Sequence, residues 1–159
     1  MRSNRLPIVY FLNVFFFFIL LTFAEGKVIQ FDRDFNGTID QWQHKSEVNK
    51  LLKVEHDKNE DGQIDQIDIF DGHNKPIRVE VDRNLDGTVD QTQYYSKKFV
   101  LEFVEKDAKY SGVMDWREVY GPNNILVRLE TDDNQDSKMD VFQYFASDGH
   151  LERVEYDTS

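Results

Sequence analysis

Apolar and charged side chains alternate along short stretches of this chain, and Gly, Pro, Asn and Asp cut the stretches at regular intervals. In 77–81, Ile77, Val79 and Val81 fall on one side while Arg78 and Glu80 fall on the other. Segments 51–56, 127–131 and 151–156 repeat the pattern, with Lys53, Arg128 and Arg153 each two residues before Glu55, Glu130 and Glu155. Alternation of period two bounded by turn formers predicts strands, and the paired charges predict opposite-charge neighbours on an outer face. Between these segments lie others rich in Gln, aromatic and β-branched residues, such as 64–70, 89–95 and 139–145. No helix of usable length fits between the turns. The expected fold is all-β: an antiparallel meander of about ten short strands.

The pattern has a period. Asp32, Asp57, Asp82, Asp107, Asp132 and Asp157 are each 25 residues apart, and no gap is needed to align the segments between them. An array of five strand–turn–strand units, starting at 32, 57, 82, 107 and 132, follows. One feature complicates a two-faced sheet. The first strands end in adjacent bulky pairs (Ile69-Phe70, Tyr94-Tyr95, Val119-Tyr120, Tyr144-Phe145), which would point to opposite faces. Either the sheet curls so that both faces are partly covered, or a bulge re-aims one member.

The first 24 residues follow another pattern. Arg2 and Arg5 precede the almost wholly apolar stretch 6–21, and Thr22-Phe23-Ala24 supplies small residues before Glu25. This is the layout of a cleaved secretory signal peptide, the alternative being an uncleaved membrane anchor. Cleavage would remove two arginines and no acid, taking the formal charge from −11 to −13. Residues 25–159 then form a single, strongly acidic repeat domain, secreted or periplasmic and without a membrane span. Nucleic acid is excluded as a partner, because phosphate must be met by clustered Lys and Arg. Cysteine is absent, so disulfides cannot staple the domain outside a cell, and a metal is the obvious substitute.

Each unit opens on an acidic nonapeptide, of which Asp82-Arg-Asn-Leu-Asp-Gly-Thr-Val-Asp90 is typical. Like charges at every second position repel unless something positive sits among them. A hard dication such as Ca²⁺ takes six to eight oxygens at about 2.3–2.6 Å in a forgiving geometry. A wrapping chain can offer side-chain oxygens from positions one, three and five, a Gly turn at six, a backbone carbonyl at seven and a carboxylate at nine. Asp82, Asn84, Asp86, Gly87, Thr88 and Asp90 fill those places. The seventh residue offers only backbone and varies accordingly: Thr38, Gln63, Thr88, Val113, Lys138. The eighth is apolar in every copy (Ile39, Ile64, Val89, Met114, Met139), as expected of an anchor to a core.

The nonapeptides 32–40, 57–65 and 82–90 resemble the calcium loops of EF-hand proteins and of thrombospondin type 3 and dockerin-type repeats. The resemblance covers nine residues per unit and stops at the flanks, which read here as strands. It implies calcium ligands at Asp32, Asp34, Asn36, Thr38 and Asp40; at Asp57, Asn59, Asp61, Gln63 and Asp65; and at Asp82, Asn84, Asp86, Thr88 and Asp90. In the fifth unit it implies Asp132, Asn134, Asp136, Lys138 and Asp140, with Ser137 where Gly is usual. The twelfth position, a bidentate Glu in EF-hands, is Gln43, Asp68, Gln93, Glu118 and Gln143. The fourth unit has Lys109 and Ser111 in place of two ligands, and its lysine is expected to stand in for the cation. Asp, Asn and Gly also build metal-free Asx turns, the plain alternative for any one copy.

Nothing in the sequence announces catalysis. The four histidines are scattered without zinc spacing, and there is no nucleophile elbow or phosphate loop. The expected function is therefore a secreted calcium-binding repeat protein, non-enzymatic, with a structural or adhesive role. The rival is a module binding a glycan or peptide, such as a cell-surface protein or glycan partner, through the aromatic file Phe70, Tyr95, Tyr120 and Phe145, with calcium incidental. Such a file more often belongs to the core of a sheet.

Overall fold

The computed structural model describes residues 26–157, so the expected signal peptide at 1–24 lies outside the described residues. Eleven strands make one antiparallel sheet in strict chain order: β1 (Lys27–Phe31), β2 (Gln41–Lys45), β3 (Leu51–His56), β4 (Gln66–Phe70), β5 (Pro76–Val81), β6 (Gln91–Tyr95), β7 (Leu101–Lys106), β8 (Trp116–Tyr120), β9 (Leu126–Thr131), β10 (Val141–Phe145) and β11 (Leu151–Tyr156). The strand beyond the expected ten is β1, which precedes the first acidic loop. The only helical turn among the described residues is a 3-10 turn at Pro122–Asn124. No described helix is long and apolar enough to cross a membrane.

Every substantial contact between strands joins sequence neighbours, and β1 and β11 end the sheet without pairing to each other, so it is open. No second layer covers either face among the described residues. The buried aliphatic side chains are therefore few: Val54, Val104 and Leu129. They lie in one row across the sheet, where each faces polar partners. Val54 is opposite Gln43 and Asp68, Val104 opposite Gln93 and Glu118, and Leu129 opposite Glu118 and Gln143. Flanked in this way on both neighbouring strands, the three are only 5–8% exposed.

Polar networks continue on that face. Lys106 Nζ donates to Glu118 Oε1 at 2.7 Å, Trp116 Nε1 donates to the same oxygen at 3.0 Å, and the Tyr120 hydroxyl donates to Glu118 Oε2 at 2.8 Å. The opposite face carries the expected charge pairs: Lys53–Glu55 at 2.5 Å, Arg78–Glu80 at 2.8 Å, Arg128–Glu130 at 2.6 Å and Arg153–Glu155 at 3.3 Å. Arginines also lie over rings there, Arg117 over Phe103 and Arg153 over Tyr144. Glu55, Glu80 and Glu130 are thus held by cations on the sheet face.

The bulky doublets sit at bulges. The register slips between Ile69 and Phe70, Tyr94 and Tyr95, Val119 and Tyr120, and Tyr144 and Phe145, and also between His44 and Lys45. Ile77 is the residue passed over opposite Ile69-Phe70, and it is 40 % exposed instead of aligning with Val79 and Val81. The aromatic file Phe70, Tyr95, Tyr120 and Phe145 is half-buried, because no second layer among the described residues makes it a core.

Candidate metal centre

All five acidic loops fall at one end of the sheet, joining β1 to β2, β3 to β4, β5 to β6, β7 to β8 and β9 to β10. Each is closed at its base by the ninth residue's N–H on the carbonyl before the loop, as in Asp65 to His56 at 2.8 Å and Asp90 to Val81 at 3.1 Å. Successive loops are also tied sideways. The first residue of each later loop donates its N–H to the ninth residue's carbonyl of the loop before: Asp57 to Asp40, Asp82 to Asp65, Asp107 to Asp90 and Asp132 to Asp115, at 2.8–3.0 Å. Asp157 continues the row by donating to Asp140 at 2.8 Å.

Inside each loop the every-other spacing has a local meaning. First-position carboxylates accept the sixth residue's N–H: Asp32 from Gly37, Asp57 from Gly62, Asp82 from Gly87, Asp107 from Gly112 and Asp132 from Ser137, at 2.6–2.9 Å. Ninth-position carboxylates reach back to the second residue's N–H: Asp40 from Arg33, Asp65 from Lys58, Asp90 from Arg83, Asp115 from Ala108 and Asp140 from Asp133. Third and fifth residues make Asx turns hand over hand. Asn84 Oδ1 accepts from Asp86 N at 3.1 Å, and Asp86 Oδ1 accepts from Thr88 N at 2.9 Å. Asn59 and Asp61, Asn134 and Asp136, and Asp34 and Asn36 do the same. These bonds require a left-handed fourth residue, and Phe35, Glu60, Leu85, Tyr110 and Gln135 all have φ between 54° and 63°.

The predicted ligands therefore divide. First and ninth carboxylates of loops 57–65 and 82–90 are buried (Asp57, Asp65, Asp82, Asp90), as is Asp132 on the side of its loop that faces loop 107–115, whereas third and fifth side chains are exposed. In the outermost loops Asp32, Asp40 and Asp140 are only half-buried, since burial comes from a loop on either side. The seventh residues Thr38, Gln63, Thr88 and Lys138 are exposed. The eighth residues are poor anchors: Ile39 and Val89 are exposed, and Ile64, Met114 and Met139 are half-buried, because there is no deep core beneath them.

Hydrogen bonds from the loop stabilise the charged carboxylates. The Gln63 N–H holds the Asp61 carboxyl below its ordinary value, and the Asn84 amide does the same for Asp86. For Asp107, burial pushes upward, but the N–H groups of Ser111 and Gly112 outweigh it and the pKa falls. Among the described residues, no three histidine or carboxylate side chains converge closely enough to hold a metal ion by themselves. A hard dication here would draw the rest of its shell from amide, hydroxyl, backbone and water oxygens. Unused acceptors for it exist: Asp57 Oδ1, Asp90 Oδ1 and Asp115 Oδ2 are buried without a hydrogen-bond partner. Such atoms are costly unless a cation is near, and in two cases one is. Arg83 Nε lies 3.5 Å from Asp90 Oδ1, and Lys109 Nζ lies 3.6 Å from Asp115 Oδ2.

The spacing of the nonapeptides singles out Lys109 but carries no mark of the links between loops. The Arg83 guanidinium donates to the Tyr110 hydroxyl at 2.7 Å, Asn36 donates to Glu60, and Lys109 Nζ donates to the carbonyls of Asp132 and Asp133 at 3.2 and 3.4 Å. The signal for them was the meander itself, which places position n of one loop beside the next loop.

No protein-family model matches the chain, and no curated protein matches it. Among solved structures, it is similar to a chain in the crystal structure of accessory secretory protein 1, 2 and 3 in Streptococcus pneumoniae. That likeness has a TM-score of 0.41 at 18% identity and covers 60% of this chain. The chain spans 19% of the length of that neighbour.

Proposed function

We propose that this protein is an exported calcium-binding repeat protein whose ions lie along the acidic end of a single-layer sheet, and whose role is structural or adhesive. The observation that carries the reading is the set of buried carboxylate oxygens without a hydrogen bond in loops 57–65, 82–90 and 107–115, of which Asp90 Oδ1 faces the Arg83 guanidinium and Asp115 Oδ2 the Lys109 ammonium. A chain that places a lysine where its other copies place Asp or Asn treats that spot as one needing positive charge. Four loops retain the full oxygen set, and four Ca²⁺ would bring a charge of −13 to about −5. Millimolar affinity, usual for extracellular modules, would leave the sites filled outside a cell and empty inside.

Thermal unfolding tests this. Millimolar Ca²⁺ should raise the melting temperature by several degrees over the EDTA-treated protein, since ligand at ten times Kd adds about 1.4 kcal/mol per site. Identical melts in EDTA and calcium would refute calcium binding. The glycan or peptide reading keeps one observation in its favour, the half-open aromatic file. Loss of binding on a glycan array for Tyr95→Ala, with calcium affinity unchanged, would support it.

A further inference from the structure

We propose that the dication sites lie between successive acidic loops, not within each loop, and that the cleft between loops 82–90 and 107–115 is one of them. The inference rests on the calcium-binding reading above and fixes where the ion goes and what holds it. The cleft measures about 230 Å³, and Asn84, Asp86, Thr88 and Asp90 of one loop face Asp107 and Ser111 of the next across it. Asp90 is 3 % exposed, and its Oδ1 has no hydrogen-bond partner. Its other oxygen is engaged by the N–H groups of Arg83 and Asn84, so Oδ1 is the oxygen without a hydrogen bond, with Arg83 Nε 3.5 Å away.

The next gap along the row shows what sits there. Lys109, at the third position of its loop, places its ammonium 3.6 Å from the equivalent unpartnered oxygen, Asp115 Oδ2. The same ammonium donates to the carbonyls of Asp132 and Asp133, the first two residues of the following loop. A cation is thus held by a ninth-position carboxylate on one side and two backbone carbonyls on the other. In the cleft before it the third position is Asn84, which brings no charge, and the corresponding carbonyls belong to Asp107 and Ala108. A hard dication with oxygen preference fits this set, and the space admits it with several waters. Arg83 is the competing group, with Nε 3.5 Å from Asp90 Oδ1 and its guanidinium reaching Tyr110. It carries one charge where the cleft presents the carboxylates of Asp86, Asp90 and Asp107, and it is the group a dication would displace.

Ser111 separates the two placements. It lines the cleft, is exposed, and belongs to the loop that lacks the oxygen set for an internal ion. Calorimetric titration of the full chain with CaCl₂ is compared for wild type, Ser111→Lys and Ser111→Asp, with far-UV circular dichroism confirming the sheet. The expected result is one ion fewer for Ser111→Lys and, for Ser111→Asp, one ion bound about tenfold more tightly. Titrations of both variants identical to wild type would overturn the placement while leaving calcium binding intact. A wild-type chain that takes up no calcium would overturn the functional reading and the placement together. Should Ser111→Lys lose its sheet spectrum, Ser111→Asp decides alone, because Asp already occupies that position in three other loops.

Discussion

Asp132 and Asp136 stand in the same loop and have different duties. Asp132, 1 % exposed, accepts the N–H groups of Gln135 and Ser137, while Asp136 is exposed and accepts from Lys138. Removing the Asp132 carboxylate strands two backbone donors. Asp132→Ala should therefore cost about 2–4 kcal/mol in urea unfolding without calcium. Asp136→Ala should cost less than about 1 kcal/mol there and show its effect in calcium titration. Equal costs for the two in EDTA would show that burial does not divide the carboxylates as described. Ser137 replaces the glycine of other copies at φ 70°. Its bond to Asp132 uses the backbone N–H, so Ser137→Gly keeps that contact and should stabilise by about 1 kcal/mol, read as a higher melting temperature. These residue types were legible in the sequence. The division of labour was not, because one-letter spacing cannot show which oxygen is consumed by a neighbouring N–H.

The loops act together in acid. Asp61, Asp86 and Asp107 have pKa values below the ordinary 3.8, owing to the Gln63 N–H, to the Asn84 amide, and to the Ser111 and Gly112 N–H groups outweighing burial. A carboxyl depressed on folding contributes its full stability above the unfolded value and loses it as pH falls through the folded one. Without calcium, the urea midpoint should hold steady above about pH 5 and drop steadily below pH 4. A midpoint that rises on acidification would mean that repulsion among the carboxylates outweighs their hydrogen bonds. The strands between the loops were plain in the sequence, because Arg78, Val79, Glu80 and Val81 alternate as a pleat requires. The bulge at Ile77 could not be read there, since period two assigns it to the side of Val79. Nor could the weak anchoring of Ile39 and Val89, which depends on a core that a single layer does not build.

Across the described residues, every substantial strand contact is with a neighbour in the chain, so stability should behave as a sum of units and interfaces. Deleting 141–159, which removes β10 and β11, should leave the remaining strands folded with a smaller dependence on urea, roughly in proportion to the surface lost. Complete loss of sheet signal in that truncation would point to long-range packing that the strand contacts do not include. The meander order was legible from the 25-residue period. Its openness was not, since a period fixes succession and says nothing about closure. The row of loops along one end is the consequence that matters most. It turns five isolated acidic turns into a continuous rail of carboxylates tied by backbone bonds, with gaps between the rungs.

Diffraction from crystals grown in millimolar calcium would test that rail most directly. Ion density is expected in the gap bounded by Asp90, Asn84 and the Asp107 and Ala108 carbonyls, with the Lys109 ammonium alone in the following gap. Water throughout the acidic end of the sheet, in abundant calcium, would contradict it.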